Sequence, residues 1–213
     1  DDLKLENIKK ITKTKINRLS IGVQSFHDED LFFLKRAHSS KQAIDSIISA
    51  QNLGIQNITI DLIYGIPNQK HEIWAYNLEQ INKLNIPHFS AYSLTVEPNT
   101  KLKYLIKTKE VNPVSDTNVA EQFNYLINVA KKNNFINYEI SSFGRDGFFS
   151  KHNTSYWKNK KYLGVGPSAH SYNKISRSCN VSSNTKYIAG ILNNNPFVEE
   201  EHLTIDQQYN EYI

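Results

Sequence analysis

Two groups of residues in this chain carry side chains suited to chemistry. The first is spread through the N-terminal third. Gln24 follows the apolar run "RLSIGV", Arg36 ends "LFFLKR", and Asp61 interrupts "ITIDLIY". A primary amide presents both donors and an acceptor to a ligand. A guanidinium forks onto a carboxylate. A carboxylate inside an apolar run is costly unless something pairs with it. Each has an ordinary alternative: Gln24 can satisfy loop backbone, Arg36 can be solvated or face a helix dipole, and Asp61 can be paired internally. The second group is the stretch "HNTSYWKNKKYLGVGPSAHSY", from His152 to Tyr172. His152 and His170 can ligate a metal or a haem iron, or serve as hydrogen-bonded structural histidines. Tyr156 and Trp157 can lie against a planar ligand or pack in a core. Asn153 can cap a helix. Cys179 reads most simply as a small apolar residue, and Glu199, Glu200 and Glu201 as a solvated turn. The chain has no P-loop, GxGxxG, zinc-finger spacing or Ser/His/Asp signature.

The elements that must position these residues follow from periodicity. Apolar β-branched runs predict strands over residues 18–23, 57–65 and 88–98. Between them, helical spacing predicts helices over 28–37, over a segment with Ala43, Ile44, Ile47, Ile48 and Leu53 that stops at Gly54, and over 71–85. Strand–helix alternation with nearly continuous apolar strands is the pattern of a parallel sheet with crossover helices. In such sheets functional residues gather at the C-terminal edge of the strands. Period two puts Asp61 with Thr59 and Ile63, opposite Ile60, Leu62 and Tyr64. Beyond residue 112 the pattern changes. A long helix capped near Ser115 or Asp116 is followed by a strand over 137–143 and a Gly/Ser-rich break, and residues 200–213 read as a helix. The division expected is therefore 1–112 and 113–213.

Composition narrows the classes. The 213 residues are 39% hydrophobic and 22% charged, which describes a folded protein, not a disordered one. A formal net charge of +4 with scattered lysines gives no case for nucleic acid. One cysteine excludes an internal disulfide and an iron–sulfur cluster held by this stretch alone, and points to a reducing, cytoplasmic setting. No apolar run reaches the roughly 18 residues of a transmembrane helix. There is no methionine, even at position 1. The last predicted helix also stops without a cap. Both lead to the expectation of an internal piece of a longer protein.

Taken in order, "RLSIGVQSF", "DLIYGIPNQ", "HFSAYSLTVEPNTKL", "YEISSF", "HNTSYW" and "YLGVGPSAHSY" resemble the oxygen-independent coproporphyrinogen III oxidase-like branch of the radical SAM family. "HNTSYW" resembles its haem-chaperone members in particular. The resemblance implies an α/β fold: strands four to six of a (β/α)6 barrel, then the start of an α+β C-terminal region. It implies S-adenosylmethionine, a [4Fe–4S] cluster whose CxxxCxxC ligands lie outside this chain, and haem passed to acceptor proteins. Gln24, Arg36 and Asp61 fall on positions that contact S-adenosylmethionine, with Leu94 and Thr95 as pocket wall. His152, Asn153, Tyr156 and Trp157 fall on a haem-associated motif, the alternative being a helix capped by Asn153 and buried through Tyr156 and Trp157. "GVGPSAHS" is expected to close the barrel's open side with His170 facing the cavity. The alternatives to a chaperone are an oxidase that decarboxylates propionates by a radical route and a non-catalytic interaction module. Radical chemistry by this stretch alone is excluded by its cysteine count.

Overall fold

The computed structural model describes residues 3–195 and 198–212. The chain divides into two compact units, Asp1–Phe149 and Ser150–Ile213. In the first, α1 (Leu5–Ile11) precedes β1 (Arg18–Gln24), α2 (Asp28–Phe33), α3 (Ser40–Asn52), β2 (Asn57–Tyr64), α4 (His71–Lys83) and β3 (His88–Ser93). Then come α5 (Lys101–Lys107), α6 (Asp116–Lys132), β4 (Ile136–Asn137) and β5 (Ser142–Gly144). The sheet order is β1-β2-β3-β5-β4. β1, β2 and β3 are parallel, and β5 turns antiparallel against both β3 and β4.

One face of this sheet is filled. Ile58, Ile60 and Leu62 are fully buried, and Phe89 nearly so, with Ile47 and Ala50 of α3, Trp74 and Leu78 of α4 and Leu126 of α6 in the same apolar cluster. Phe89 stacks on Phe143 at 4.9 Å between ring centroids and meets Phe135 edge-on at 5.1 Å. The predicted alternation in β2 is what the strand shows: Ile60, Leu62 and Tyr64 are buried, whereas Asp61 and Ile63 on the other face are only half-buried.

Helix ends are set by local chemistry. Ser39 and Gln42 form a reciprocal capping box at α3. At the far end of α2, the Lys35 N–H bonds Phe32 O and the Arg36 N–H bonds Leu31 O, with Lys35 at φ 54°. This paired closure fixes the backbone of Arg36.

Three expectations are corrected. The strand from residue 88 stops at Ser93, not 98, because after the Leu94 N–H bonds Tyr64 O the chain leaves the sheet for a turn that caps α5 through Thr100. The run 137–143 is two short strands: Asn137 Nδ2 donates to both Glu139 O and Ser142 O and curls the chain between them. Residues 198–202 form a strand, and the final helix begins only at Ile205, capped by reciprocal Thr204 and Gln207 bonds. The compact units part at Phe149/Ser150, as α6 and the β4–β5 pair pack with the parallel strands.

The second unit contains α7 (Lys151–Trp157), β6 (His170–Tyr172), β7 (Ser176–Asn180), α8 (Asn184–Leu192), β8 (Val198–His202) and α9 (Ile205–Tyr212). β6, β7 and β8 form an antiparallel sheet. The glutamates read as a turn lie on β8, where Glu200 accepts a bond from Ser176 Oγ at 2.7 Å.

Phe143→Ala should destabilise the first unit by about 3–5 kcal/mol, since the vacated ring is central to the Phe89 stack. Urea unfolding followed by Trp74 fluorescence in a Trp157→Phe background checks this, with a loss under 1 kcal/mol as the contrary result.

Candidate functional site

The face of the first sheet turned away from α3, α4 and α6, the helix-free face within this unit's described residues, carries polar residues tied in rows across the strands. Arg18 Nη1 donates to Asn57 Oδ1 at 2.7 Å and to Phe148 O at 3.0 Å. One row higher, Thr59 Oγ1 lies 2.5 Å from His88 Nδ1, and His88 Nε2 lies 2.8 Å from the Tyr138 hydroxyl. Above that, Asp61 is opposite Ser90, and Ser90 opposite Ser142, with the two serine hydroxyls 3.2 Å apart.

Burial shifts three groups on this face, and it lowers the Arg18 guanidinium. Burial, reinforced by the Arg18 guanidinium, pulls the His88 imidazole down to about 4. Neutral His88 then has one N–H and one lone pair, which suits a hydroxyl at each nitrogen. Burial pushes the Asp61 carboxyl above its ordinary range, and a bond from Ser90 draws it only part of the way back. A carboxylate in that state gains from any cationic or hydroxyl donor brought to it.

Gln24 closes β1 at φ 69°, a left-handed conformation at a strand end. The Ser25 N–H bonds Val23 O at 2.9 Å across it, making a γ-turn that stores about 1–3 kcal/mol of strain. The pairing of β1 with β2 shifts register here, leaving Gln24 opposite Leu62. A Cβ on Gly22 would lie 2.8 Å from Gln24 Nε2. Gly22 alternates with buried Ile21 and Val23, so the amide folds back over the helix-free face. Gln24 and Asp61 therefore share a face and the strands' C-terminal edge. Arg36 lies in the α2–α3 connection, which His38 Nε2 ties to Val23 O near the same end of β1, but its side chain is exposed. Among the described residues, none of the three hydrogen-bonds another. Thr95 is exposed, contacts Ser93 O at 3.4 Å, and lines a groove of about 590 Å³ with Tyr64, Asp116 and Phe123. A second groove, about 610 Å³, runs along β1 between Gly22, His38 and Ser46.

In the second unit, α7 is capped by Ser150, whose hydroxyl accepts from the Asn153 N–H at 3.3 Å; Asn153 is not the cap. Tyr156 is 47% and Trp157 56% exposed, so the helix is not buried through its aromatics. His152 Nε2 meets the Tyr156 hydroxyl at 3.1 Å. The rings of His152, Tyr156, Tyr162 and Tyr172 continue as a ladder with spacings of 4.9, 4.9 and 5.9 Å. Gly164 lets this segment press against β6, since a Cβ there would collide with His170 O. Leu163 and Val165, on either side of it, are 82% and 80% exposed. His170 is exposed on β6, with Nε2 3.5 Å from Cys179 Sγ.

Sequence reasoning missed His88, Tyr138, Asn77 and Tyr162. Two of them carried a signal. His88 opens an apolar strand, and Asn77 stands on the apolar stripe of α4 beside Trp74, Leu78 and Ile81. The ladder partner Tyr162 had none, because its contact depends on a bridge to Tyr172.

The residues fit part of what the resemblance implies. A half-buried carboxylate and an amide on the same face suit part of a zwitterionic amino-acid head group, while the exposed Arg36 guanidinium touches neither. The cluster is different, since the single cysteine cannot supply its thiolates. No group of three His, Cys, Asp or Glu side chains that could hold a metal ion occurs among the described residues.

Because the folded His88 imidazole titrates near 4, against about 6.5 unfolded, its contribution to stability is present above pH 6.5 and lost as pH falls toward 4. Thermal melts should drop over that window and flatten in His88→Asn. A wild-type melting temperature constant from pH 7 to 4 would refute this.

Comparisons with known proteins agree on one kinship. Residues 1–80 match the family model described as the Radical SAM superfamily. A Bacillus subtilis protein, "Heme chaperone HemW", is 33% identical over 99% of this chain and 56% of its own length. Its Lactococcus lactis counterpart is 37% identical over 80% of this chain and 45% of its own. The mouse "Radical S-adenosyl methionine domain-containing protein 1, mitochondrial" is 36% identical over 73% and 35%. The solved structure of Escherichia coli coproporphyrinogen III oxidase (HemN), described as a radical SAM enzyme, superposes with a TM-score of 0.79. At 20% identity, over 98% of this chain and 51% of that one, it shows the fold. The chain spans about half the length of the curated bacterial relatives it matches.

Proposed function

Since the chain belongs to the radical SAM superfamily, in its HemW- and HemN-like branch, we propose that it is the cofactor-facing and haem-contacting part of a haem chaperone. In this reading the first unit holds part of S-adenosylmethionine and the second holds haem for transfer to an acceptor protein in the cytoplasm. The relatives' printed names support the chaperone, and the single cysteine fits a reducing compartment. Among the described residues no helix is long and apolar enough to cross a membrane.

In the first unit, Asp61 accepts from a donor on the cofactor's head group, and Gln24 bonds it from the neighbouring strand. Arg36 is free to swing onto its carboxylate, because its backbone is fixed and its side chain is exposed. S-adenosylmethionine, bound also to a cluster held elsewhere, would supply the radical chemistry of the family. The helix-free face below, from Thr59 through His88 to Tyr138, stays neutral and holds the strands in place.

The observation that carries the haem reading is the exposure of Tyr156 and Trp157 beside His152. Large aromatics left in water next to an imidazole, with exposed Leu163 and Val165 in the same unit, make a surface suited to a flat apolar ring. His152 offers the iron a ligand once its Nε2 leaves the Tyr156 hydroxyl, and Asn153 sits on the same turn.

His152→Ala should weaken haem binding at least tenfold, followed at the Soret band in the full-length protein, with the melting temperature unchanged within 2 °C. Undiminished haem affinity with a lowered melting temperature would instead make the stretch structural.

A further inference from the structure

The end of β1 rests on buried polar side chains that the cofactor reading does not use. Ser25 and Asn77 are fully buried, and Asp30 is nearly so. Asn77 Oδ1 accepts from the Phe26 N–H at 2.7 Å, and its Nδ2 donates to Ser25 Oγ at 3.0 Å. Ser25 Oγ donates to Asp30 Oδ2 at 2.7 Å, which also accepts from Gln69 Nε2 at 2.7 Å. Gln122 then reaches Gln69 at 3.5 Å and accepts from the Gly65 N–H at 2.7 Å. On the other side of the turn, His38 Nε2 lies 3.0 Å from Val23 O, the carbonyl that already accepts from Ser25.

The positions of these bonds matter more than their number. Gln24 is the strained residue, and the groups on both sides of it are clamped: Val23 O by His38, Ser25 and Phe26 by Asn77. Released from either side, the chain could relax toward ordinary strand dihedrals. Alternation keeps Gln24 on the face of Gly22 in either case, but without the γ-turn the amide would extend past the strand end instead of folding back over Gly22. His38 also lies two residues beyond Arg36, so its bond ties the arginine's loop to the same turn.

We propose that Asn77 and His38 are positioning residues of the S-adenosylmethionine site, acting through the Gln24 turn. Neither touches the cofactor. Asn77 sets the direction of the amide from inside the fold. His38, as the Nε2–H tautomer, sets the spacing between the Gln24 turn and the Arg36 loop. This rests on the reading that Gln24 contacts S-adenosylmethionine.

The test is calorimetric titration of S-adenosylmethionine into the cluster-loaded full-length protein, alongside thermal melts. Gln24→Ala should weaken binding about tenfold, and so should Asn77→Ser and His38→Phe. Added to Gln24→Ala, either should cause no further loss, a coupling of about 1.4 kcal/mol per tenfold change. His38→Gln, whose amide can still donate to Val23 O, should restore affinity. A fully additive loss in the Gln24→Ala background would make the two residues merely structural and overturn the proposal. So would near-normal affinity in Asn77→Ser and His38→Phe while Gln24→Ala binds weakly. Normal binding by Gln24→Ala would sink the cofactor reading itself. If Asn77→Ser fails to fold, the His38 pair decides on the same criteria.

Discussion

The first unit depends on β2 being hydrogen-bonded on both sides. A strand paired to β1 and to β3 cannot slip by one residue without sending Ile58, Ile60 and Leu62 to the face that no helix covers. Fully burying each of those side chains is worth about 1.5–3 kcal/mol, so the register is fixed by the core. The opposite set, Asn57, Thr59 and Asp61, is then fixed as well. It must be polar or small enough to live without helix cover, and each member finds a partner on the next strand: Arg18 for Asn57, His88 for Thr59, Ser90 for Asp61. The apolar packing on one face thus decides where every polar group on the other can stand.

That arrangement separates two tasks along the strands. Toward the N-terminal end, burial and Arg18 keep His88 neutral and two hydroxyls satisfy its ring nitrogens, a structural use of polar groups. Toward the C-terminal end, Asp61 is left with a raised affinity for its proton and only a serine to offset its burial. The Gln24 turn brings a second polar group to this end at the expense of backbone strain. Unspent electrostatic demand and strain at one edge, with relaxed pairing at the other, is the distribution expected where a ligand completes the site.

Much of this was legible in the sequence because it follows from alternation. Thr59, Asp61 and Ile63 were assigned to one face from period two alone, and Gln24 and Asp61 are at the edge that the strand–helix pattern implied. What could not be read depends on contacts between distant segments. Asn77 looks like a stray amide on a helix until Phe26 is placed against it. The run from Asn137 looked like one strand because its apolar spacing hides the turn that Asn137 Nδ2 makes. Glu199 to Glu201 read as a solvated turn, and residues from 200 onward as helix, because consecutive charges give no strand alternation. Residues 198–202 form a strand because β7 offers them an unpaired edge. The capping serine before "HNTSYW" was overlooked because Asn153 is an equally good cap by type, and the choice is made by where the helix starts.

In the proposed reading, S-adenosylmethionine completes the half-buried carboxylate of Asp61. The most direct measurement is the ¹³C NMR titration of the Asp61 side-chain carboxyl in the full-length protein, with and without S-adenosylmethionine. The carboxyl should titrate above the ordinary aspartate range without the cofactor and fall clearly when it binds, as a donor on the cofactor favours the ionised form. An Asp61 titration that stays the same while S-adenosylmethionine saturates the protein would contradict it.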